Sequence, residues 1–147
     1  MGVAGQNGGN ARFALARYDP NGTLDKSFGG DGRVTTQLTP SRDAATSVVL
    51  QANGKIVAAG GARLTGPNSM FALARYTAAG RLDRTFGDHG RRRTDVTSRG
   101  DVANGLAIQA DRKIVAAGES GFAGSNPKSA LVRYTAHGRR DTTPMAA

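Results

Sequence analysis

Apolar residues in this chain come in short alternating runs, and the runs recur at a fixed interval. In residues 13–18, Phe13, Leu15 and Arg17 fall on one face of an extended segment, and Ala14, Ala16 and Tyr18 fall on the other. Asp19-Pro20-Asn21-Gly22 then predicts a turn, with Pro and Gly at positions whose dihedrals they pre-set. Leu24-Asp25 and Phe28 read as a short connection anchored back on the core. A second strand is predicted over 32–38, partly β-branched through Val34, Thr35 and Thr36. A third covers 45–51 around Val48, Val49 and Leu50. Ala52-Asn53-Gly54 predicts a hairpin turn built on the two-residue Asn-Gly, and a fourth strand follows over 55–60. A Gly/Asn/Pro loop over 61–69 leads on.

The pattern then starts again. Phe13-Ala-Leu-Ala-Arg-Tyr18 returns as Phe71-Ala-Leu-Ala-Arg-Tyr76 and as Ser129-Ala-Leu-Val-Arg-Tyr134, at a constant offset of 58 residues. Lys55-Ile-Val-Ala-Ala-Gly60 returns as Lys113-Ile-Val-Ala-Ala-Gly118 at the same offset, and Leu24-Asp25 with Phe28-Gly29 as Leu82-Asp83 with Phe86-Gly87. About half the positions of the first full repeat are identical in the second, which marks tandem duplication. The chain divides into a remnant and loop over 1–12, repeat 1 over 13–70, repeat 2 over 71–128, and a partial, decayed repeat 3 over 129–147. Four strands per unit of this length is the pattern of a β-propeller blade, and it disfavours the shorter coils of a β-solenoid. The predicted class is all-β, with about two and a half tandem four-stranded blades, incomplete or open.

These residues resemble the delta-60 repeat, a bacterial β-propeller-like repeat, in F-A-L-A-R-Y-x-x-x-G-x-L-D-x-x-F-G followed by L-Q-x-x-G-K-I-V-x-A-G. The first copy is Phe13–Gly29 with Leu50–Gly60, and the second is Phe71–Gly87 with Ile108–Gly118. Arg112 departs from the pattern where a turn Gly is expected, and Arg92 and Arg93 depart where strand formers are usual. In the third copy Arg140 replaces Leu24 and Leu82, and Pro144 replaces Phe28 and Phe86. The resemblance implies a propeller module of largely unassigned function, found in long exported or cell-surface bacterial proteins, with no catalytic residues to carry over.

Composition narrows the chemistry. Twenty-one glycines suit tight turns, and the absence of Cys removes disulfides, thiolate metal sites and cysteine nucleophiles. No apolar run approaches the roughly 20 residues of a bilayer span, and the N-terminal residues lack the basic start and apolar stretch of a signal peptide. The net charge of +9 raises the question of an acidic partner. The cations are mostly Arg and mostly dispersed, so a basic soluble surface is the plainer reading. The dense cluster is Arg91-Arg92-Arg93, a candidate site for an acidic glycan or nucleic acid, although no aromatics interleave with it as a base-stacking platform requires.

Arg17, Arg75 and Arg133 share one repeat position, and Asp25, Asp83 and Asp141 share another. The expectation is one structural ion pair per unit, because a planar guanidinium suits a carboxylate and active sites do not usually recur blade by blade. Asp19 to Asp25 faintly resembles an oxygen-rich calcium loop, but the second copy keeps only Asp83 of its carboxylates. Asp31 and Asp88 read as turn residues. His89 and His137 lack partners at metal spacing, and Ser41 and Ser98 lack a nucleophile-elbow context. The expectation is a non-catalytic scaffold or interaction module with no cofactor, cut from a larger bacterial protein. The alternatives are binding of an acidic polymer through the Arg cluster, and a propeller-type hydrolase or lyase. Val3-Ala4-Gly5 looks like the end of a fourth strand, so the chain begins inside one blade and stops inside another. It is either a fragment or a partner in a homo-oligomeric ring, with exposed edges that favour self-association.

Overall fold

The computed structural model describes residues 2–4, 10–63, 68–121 and 126–144. Among the described residues ten strands follow one another: β1 (Gly2–Ala4), β2 (Arg12–Ala16), β3 (Arg33–Thr36), β4 (Ala44–Leu50), β5 (Ile56–Ala62), β6 (Met70–Tyr76), β7 (Arg91–Thr94), β8 (Asp101–Ile108), β9 (Ile114–Ser120) and β10 (Lys128–Tyr134). All pairings between them are antiparallel. They form sheet I (β1-β2-β3), sheet II (β4-β5-β6-β7) and sheet III (β10-β9-β8). Among the described residues no helix is long and apolar enough to cross a membrane. The architecture is all-β, an unclosed row of three blade-like sheets.

The complete sheet is out of phase with the repeat as bounded in the sequence. It takes the third and fourth strands of one copy and the first and second of the next. The turn between β3 and β4 moves the chain from one sheet to its neighbour, whereas β5 pairs with β6 over its whole length, Ile56↔Tyr76 to Ala62↔Met70. By the same phase β1 and β2 hold in sheet I the places of β5 and β6. The part of the predicted N-terminal loop at 5–9 lies outside the described residues, as do 64–67 of the predicted inter-repeat loop.

Two cores lie on the two faces of sheet II. Alternation along β5 and β6 sends Ile56, Ala58, Ala72, Ala74 and Tyr76 to the first, against Phe13, Leu15 and Phe28 of sheet I. It sends Val57, Ala59, Phe71 and Leu73 to the second, with Phe86, against Ala103, Ile114, Ala116 and Ala130 of sheet III. The second core is the first displaced by one repeat. At each boundary a face of large side chains meets a face built largely of alanines, so bulk on one side fills space left on the other. Each fully buried Phe or Leu removes apolar surface from water worth roughly 1.5–3 kcal/mol.

Strands β4 and β8 converge: Thr46 Oγ1 donates to the Ala103 carbonyl at 2.5 Å. Thr46 is the extra residue of a bulge between Ala45 and Ser47, and Asn104 is its counterpart between Ala103 and Gly105. Beside the bulges the neighbouring backbone comes so close that a Cβ on Gly60 would lie 1.9 Å from the Ala44 carbonyl oxygen, and one on Gly118 would lie 2.0 Å from that of Val102. This approach explains why both repeats end their Lys-Ile-Val-Ala-Ala run on Gly.

The turns share one form. Gly22, Gly54, Gly80 and Gly138 each donate back to the residue three before, Asp19, Gln51, Thr77 and Thr135. The predicted Ala52-Asn53-Gly54 hairpin turn lies between Gln51 and Lys55, where the Gln51 N–H donates to the Lys55 carbonyl and Gly54 closes the turn in the left-handed region (φ 77°).

Candidate functional site: a repeated ionic node and an arginine edge

The strand-end arginines and the loop aspartates meet in all three copies. Arg17 Nε donates to Asp25 Oδ2 at 2.7 Å, Arg75 Nε to Asp83 Oδ2 at 2.8 Å and Arg133 Nε to Asp141 Oδ2 at 2.9 Å. The loop is drawn to the strand by backbone bonds as well, since Asp25, Asp83 and Asp141 N–H groups donate to the carbonyls of Arg17, Arg75 and Arg133. The arginine also reaches across the sheet boundary. Arg17 Nη1 donates to the Ala78 carbonyl at 2.5 Å, and Arg75 Nη1 to that of Ala136 at 2.5 Å. Below each of these two guanidinium groups lies a ring, Phe28 at 4.9 Å and Phe86 at 4.7 Å from the central carbon. In the third copy the ring position is Pro144; Arg133 Nη2 donates to Thr143 Oγ1, as Arg17 and Arg75 Nη2 do to Ser27 and Thr85, and also to the Thr143 carbonyl.

Two further positions in the node, a lysine and a hydroxyl, were not anticipated from the sequence. Lys55 Nζ lies 2.7 Å from Asp83 Oδ2, and Lys113 Nζ lies 3.3 Å from Asp141 Oδ2, so each of these carboxylates takes a second cation. The hydroxyls of Ser27, Thr85 and Thr143 each donate to the aspartate two residues before. The signal was present, because these residues keep the 58-residue period. Burial alone would raise the Asp83 carboxyl, but hydrogen bonds from Lys55 and Thr85 and the Arg75 charge outweigh it and hold the group well below the usual carboxylate range. Asp141 is lowered chiefly by the hydroxyl and amide of Thr143, with Lys113 and Arg133 adding to them. Asp25 is lowered chiefly by the hydroxyl and amide of Ser27.

A second repeated carboxylate also went unread. Asp43 is fully buried, and its oxygens accept from the amides of Leu38 and Thr39 at 2.8 and 2.9 Å and from Thr39 Oγ1 at 2.6 Å. Asp101 does the same with Val96 and Thr97. Both sit where the chain passes from one sheet to the next, so each carboxylate replaces the backbone partners that a buried crossing loop lacks. Ser41 lies in the first of these loops, where its amide donates to Thr39 Oγ1, and Ser98 lies in the second.

The arginine triplet does not form a single patch. It is the whole of β7 before Thr94, the edge of sheet II, paired with β6 as Ala74↔Arg91, Leu73↔Arg92 and Ala72↔Arg93. Ala72 and Ala74 face sheet I and Leu73 faces sheet III, so Arg91 and Arg93 point one way and Arg92 the other. The strand borders an open groove of about 960 Å³ whose lining includes Asp88 and Asp95, which dilutes its positive charge. A row of like charges along an open edge also opposes pairing with another strand there.

In the calcium-like loop, Asn21 Oδ1 accepts from the amide and hydroxyl of Thr23 at 3.1 and 2.8 Å, and Asp25 is engaged with Arg17 and Ser27. Among the described residues no three His, Asp or Glu side chains gather as a metal site. Asp31 Oδ1 accepts the Arg33 amide at 2.9 Å, a turn contact.

Fold and nodes together define a tandem β-repeat protein whose sheets stack face to face as propeller blades do. Over residues 1–28, 51–86 and 109–143, about two thirds of its length, the chain matches the family described as domain of unknown function (DUF5122) beta-propeller, and it belongs to that family. No curated protein matches the chain.

Proposed function

We propose that this chain is a non-catalytic β-propeller module of the delta-60 type, a scaffold or interaction surface whose open sheet faces are covered by further blades of the same kind. One observation carries this reading. Among the described residues the exposed large apolar side chains are Tyr18, Val48, Leu50 and Leu131, and each has counterparts one or two repeats away that are covered. Tyr18 is 60% exposed while Tyr76 and Tyr134 are fully buried, and Leu131 is 62% exposed while Leu15 and Leu73 are buried. Val48 and Leu50 correspond to Leu106 and Ile108, which pack against the second core. Tyr18 and Leu131 are the side chains that a blade on either side of the row would cover, whereas Val48 and Leu50 face sheet I and would be covered by a strand beside β1. The interface between blades is heterologous, large face to small face, and such contacts continue until a ring closes.

The covering blades come either from the rest of a longer bacterial protein or from a second copy. The ionic nodes support a structural role, since Arg75 and Asp83 are buried and fully engaged with each other and their neighbours. Light scattering combined with binding of an apolar fluorescent dye tests the proposal. A defined oligomer identifies copies of the chain as the source. A monomer that binds dye, and loses it in Tyr18→Ser/Leu131→Ser, identifies a longer chain. A monomer with no dye binding overturns the reading.

A further inference from the structure

At the boundary between sheets II and III, two departures from the repeat meet in space. Thr85, Gly87, Arg92, Thr135, His137 and Arg139 line an open recess of about 610 Å³ that has no carboxylate in its lining. One repeat earlier the same positions are Ser27, Gly29, Val34, Thr77, Ala79 and Arg81. Val34 there packs against the first core. Four of the six positions keep their character. The other two both change from apolar to cationic or imidazole: Val34 becomes Arg92 and Ala79 becomes His137. They lie 45 residues apart in both copies, so only the fold brings them to one place.

Arg92 is half-buried on the edge strand, and its Nε is buried without a hydrogen-bond partner. The node arginines, by contrast, all spend their Nε on a carboxylate. An unpartnered buried guanidinium donor is destabilising, and gathering a second guanidinium beside it adds repulsion. One oxyanion bound in the recess offsets that repulsion. The recess offers what such a group needs: planar donors from Arg92 and Arg139, an imidazole from His137, and the Thr135 hydroxyl, whose oxygen already accepts from the Arg139 amide at 3.2 Å and whose proton is free to be donated.

We propose that this recess is a binding site for a phosphate or sulfate monoester group, acquired in the second boundary by the paired change at Arg92 and His137 and absent from the first. The proposal is independent of the covering of the open faces, because it rests on an interface internal to the chain. It also differs from a polymer surface on the whole triplet, since Arg91 and Arg93 face away from the recess.

Titration of the ¹⁵N-labelled chain with inorganic phosphate, and separately with inorganic sulfate, tests it by NMR. The expected result is saturable shifts confined to Thr85, Gly87, Arg92 and residues 135–139. Arg92→Val/His137→Ala restores the residues of the first boundary, which already fold in this chain, and is expected to weaken binding by about ten-fold or more. Arg139→Ser, at an exposed position, gives the same loss without touching the core. Arg91→Thr/Arg93→Thr is expected to change affinity by no more than about two-fold. Glucose 6-phosphate and glucose 6-sulfate then separate the two sources, the natural class being the one that saturates at lower concentration. Shifts that rise linearly without saturating, or that fall equally in the Arg91/Arg93 variant, overturn the proposal.

Discussion

The Tyr76 hydroxyl donates to Thr36 Oγ1 at 2.8 Å, across the boundary between sheets I and II, and Tyr134 repeats the contact with Thr94 at the next boundary. Both partners are buried in each pair. Burial pushes the Tyr76 phenol up to about 12, with the Thr36 bond and the Arg91 charge working against it. Removing the hydroxyl leaves a buried Thr without its partner. Tyr76→Phe and Tyr134→Phe are each expected to lower unfolding free energy by about 1–2 kcal/mol. Tyr18→Phe, at an exposed phenol, should be neutral within about 0.5 kcal/mol. Urea unfolding of the three variants decides, and an equal loss at Tyr18 would contradict the account.

The ionic node should be graded by burial. Asp83 accepts from Arg75, Lys55 and Thr85, and Arg75 is 4% exposed. Asp83→Asn leaves that guanidinium buried beside a neutral amide, at an expected cost of about 3–5 kcal/mol. Asp25 and Arg17 keep 22% and 32% of their side-chain surface in water, so Asp25→Asn should cost much less than Asp83→Asn. Denaturant midpoints of the two variants measure the difference, and similar losses would refute the grading.

Acid stability follows from the same carboxylates. Asp25, Asp83 and Asp141 are all lowered in the folded state. A lowered carboxyl stabilises fully above its unfolded value of about 3.9, and that contribution is lost as the pH falls toward the folded value. The denaturation midpoint should therefore stay level from neutrality to about pH 4 and drop below it. The drop should be shallower in Asp83→Asn, which has already lost one of the three groups. A midpoint that rises on acidification would show the sign to be wrong.

Most of the fold was legible because it repeats. The alternation in residues 13–18 assigned Phe13 and Leu15 to one face and Ala14, Ala16 and Tyr18 to the other, and the buried sides of β2 and β6 keep that division. What the repeat could not reveal was its phase, since a period of 58 residues says nothing about which turn stays within a sheet and which crosses. That depends on Asp43 and Asp101, whose value lies in backbone amides four and five residues away. The Arg–Asp nodes were legible from shared positions. The Lys55 arm and the Tyr76–Thr36 bond were not, because each joins residues 28 or 40 apart that become neighbours only when sheets form. The run of three arginines read as one patch on paper, and the two-residue period of the strand divides it between two faces.

The turn at Arg112 offers a stabilising change. Its backbone matches that of Gly54 one repeat earlier: Arg112 N–H donates to the Gln109 carbonyl at 2.8 Å, as Gly54 N–H does to that of Gln51 at 2.9 Å. Arg112 sits at φ 67° and Gly54 at φ 77°. A side chain in the left-handed region costs roughly 1–2 kcal/mol, part of which Gly gives back through greater freedom in the unfolded chain. The Arg112 side chain is exposed, so little contact is lost on removing it. Arg112→Gly should raise stability by about 0.5–1 kcal/mol. Gly54→Ala should lower it by a similar amount, because a Cβ there meets only Ala78 at an ordinary 3.6 Å and the penalty is conformational. Thermal unfolding of the two variants provides the check: opposite shifts in midpoint are expected, and a loss in Arg112→Gly would mean that the exposed arginine contributes something other than its backbone.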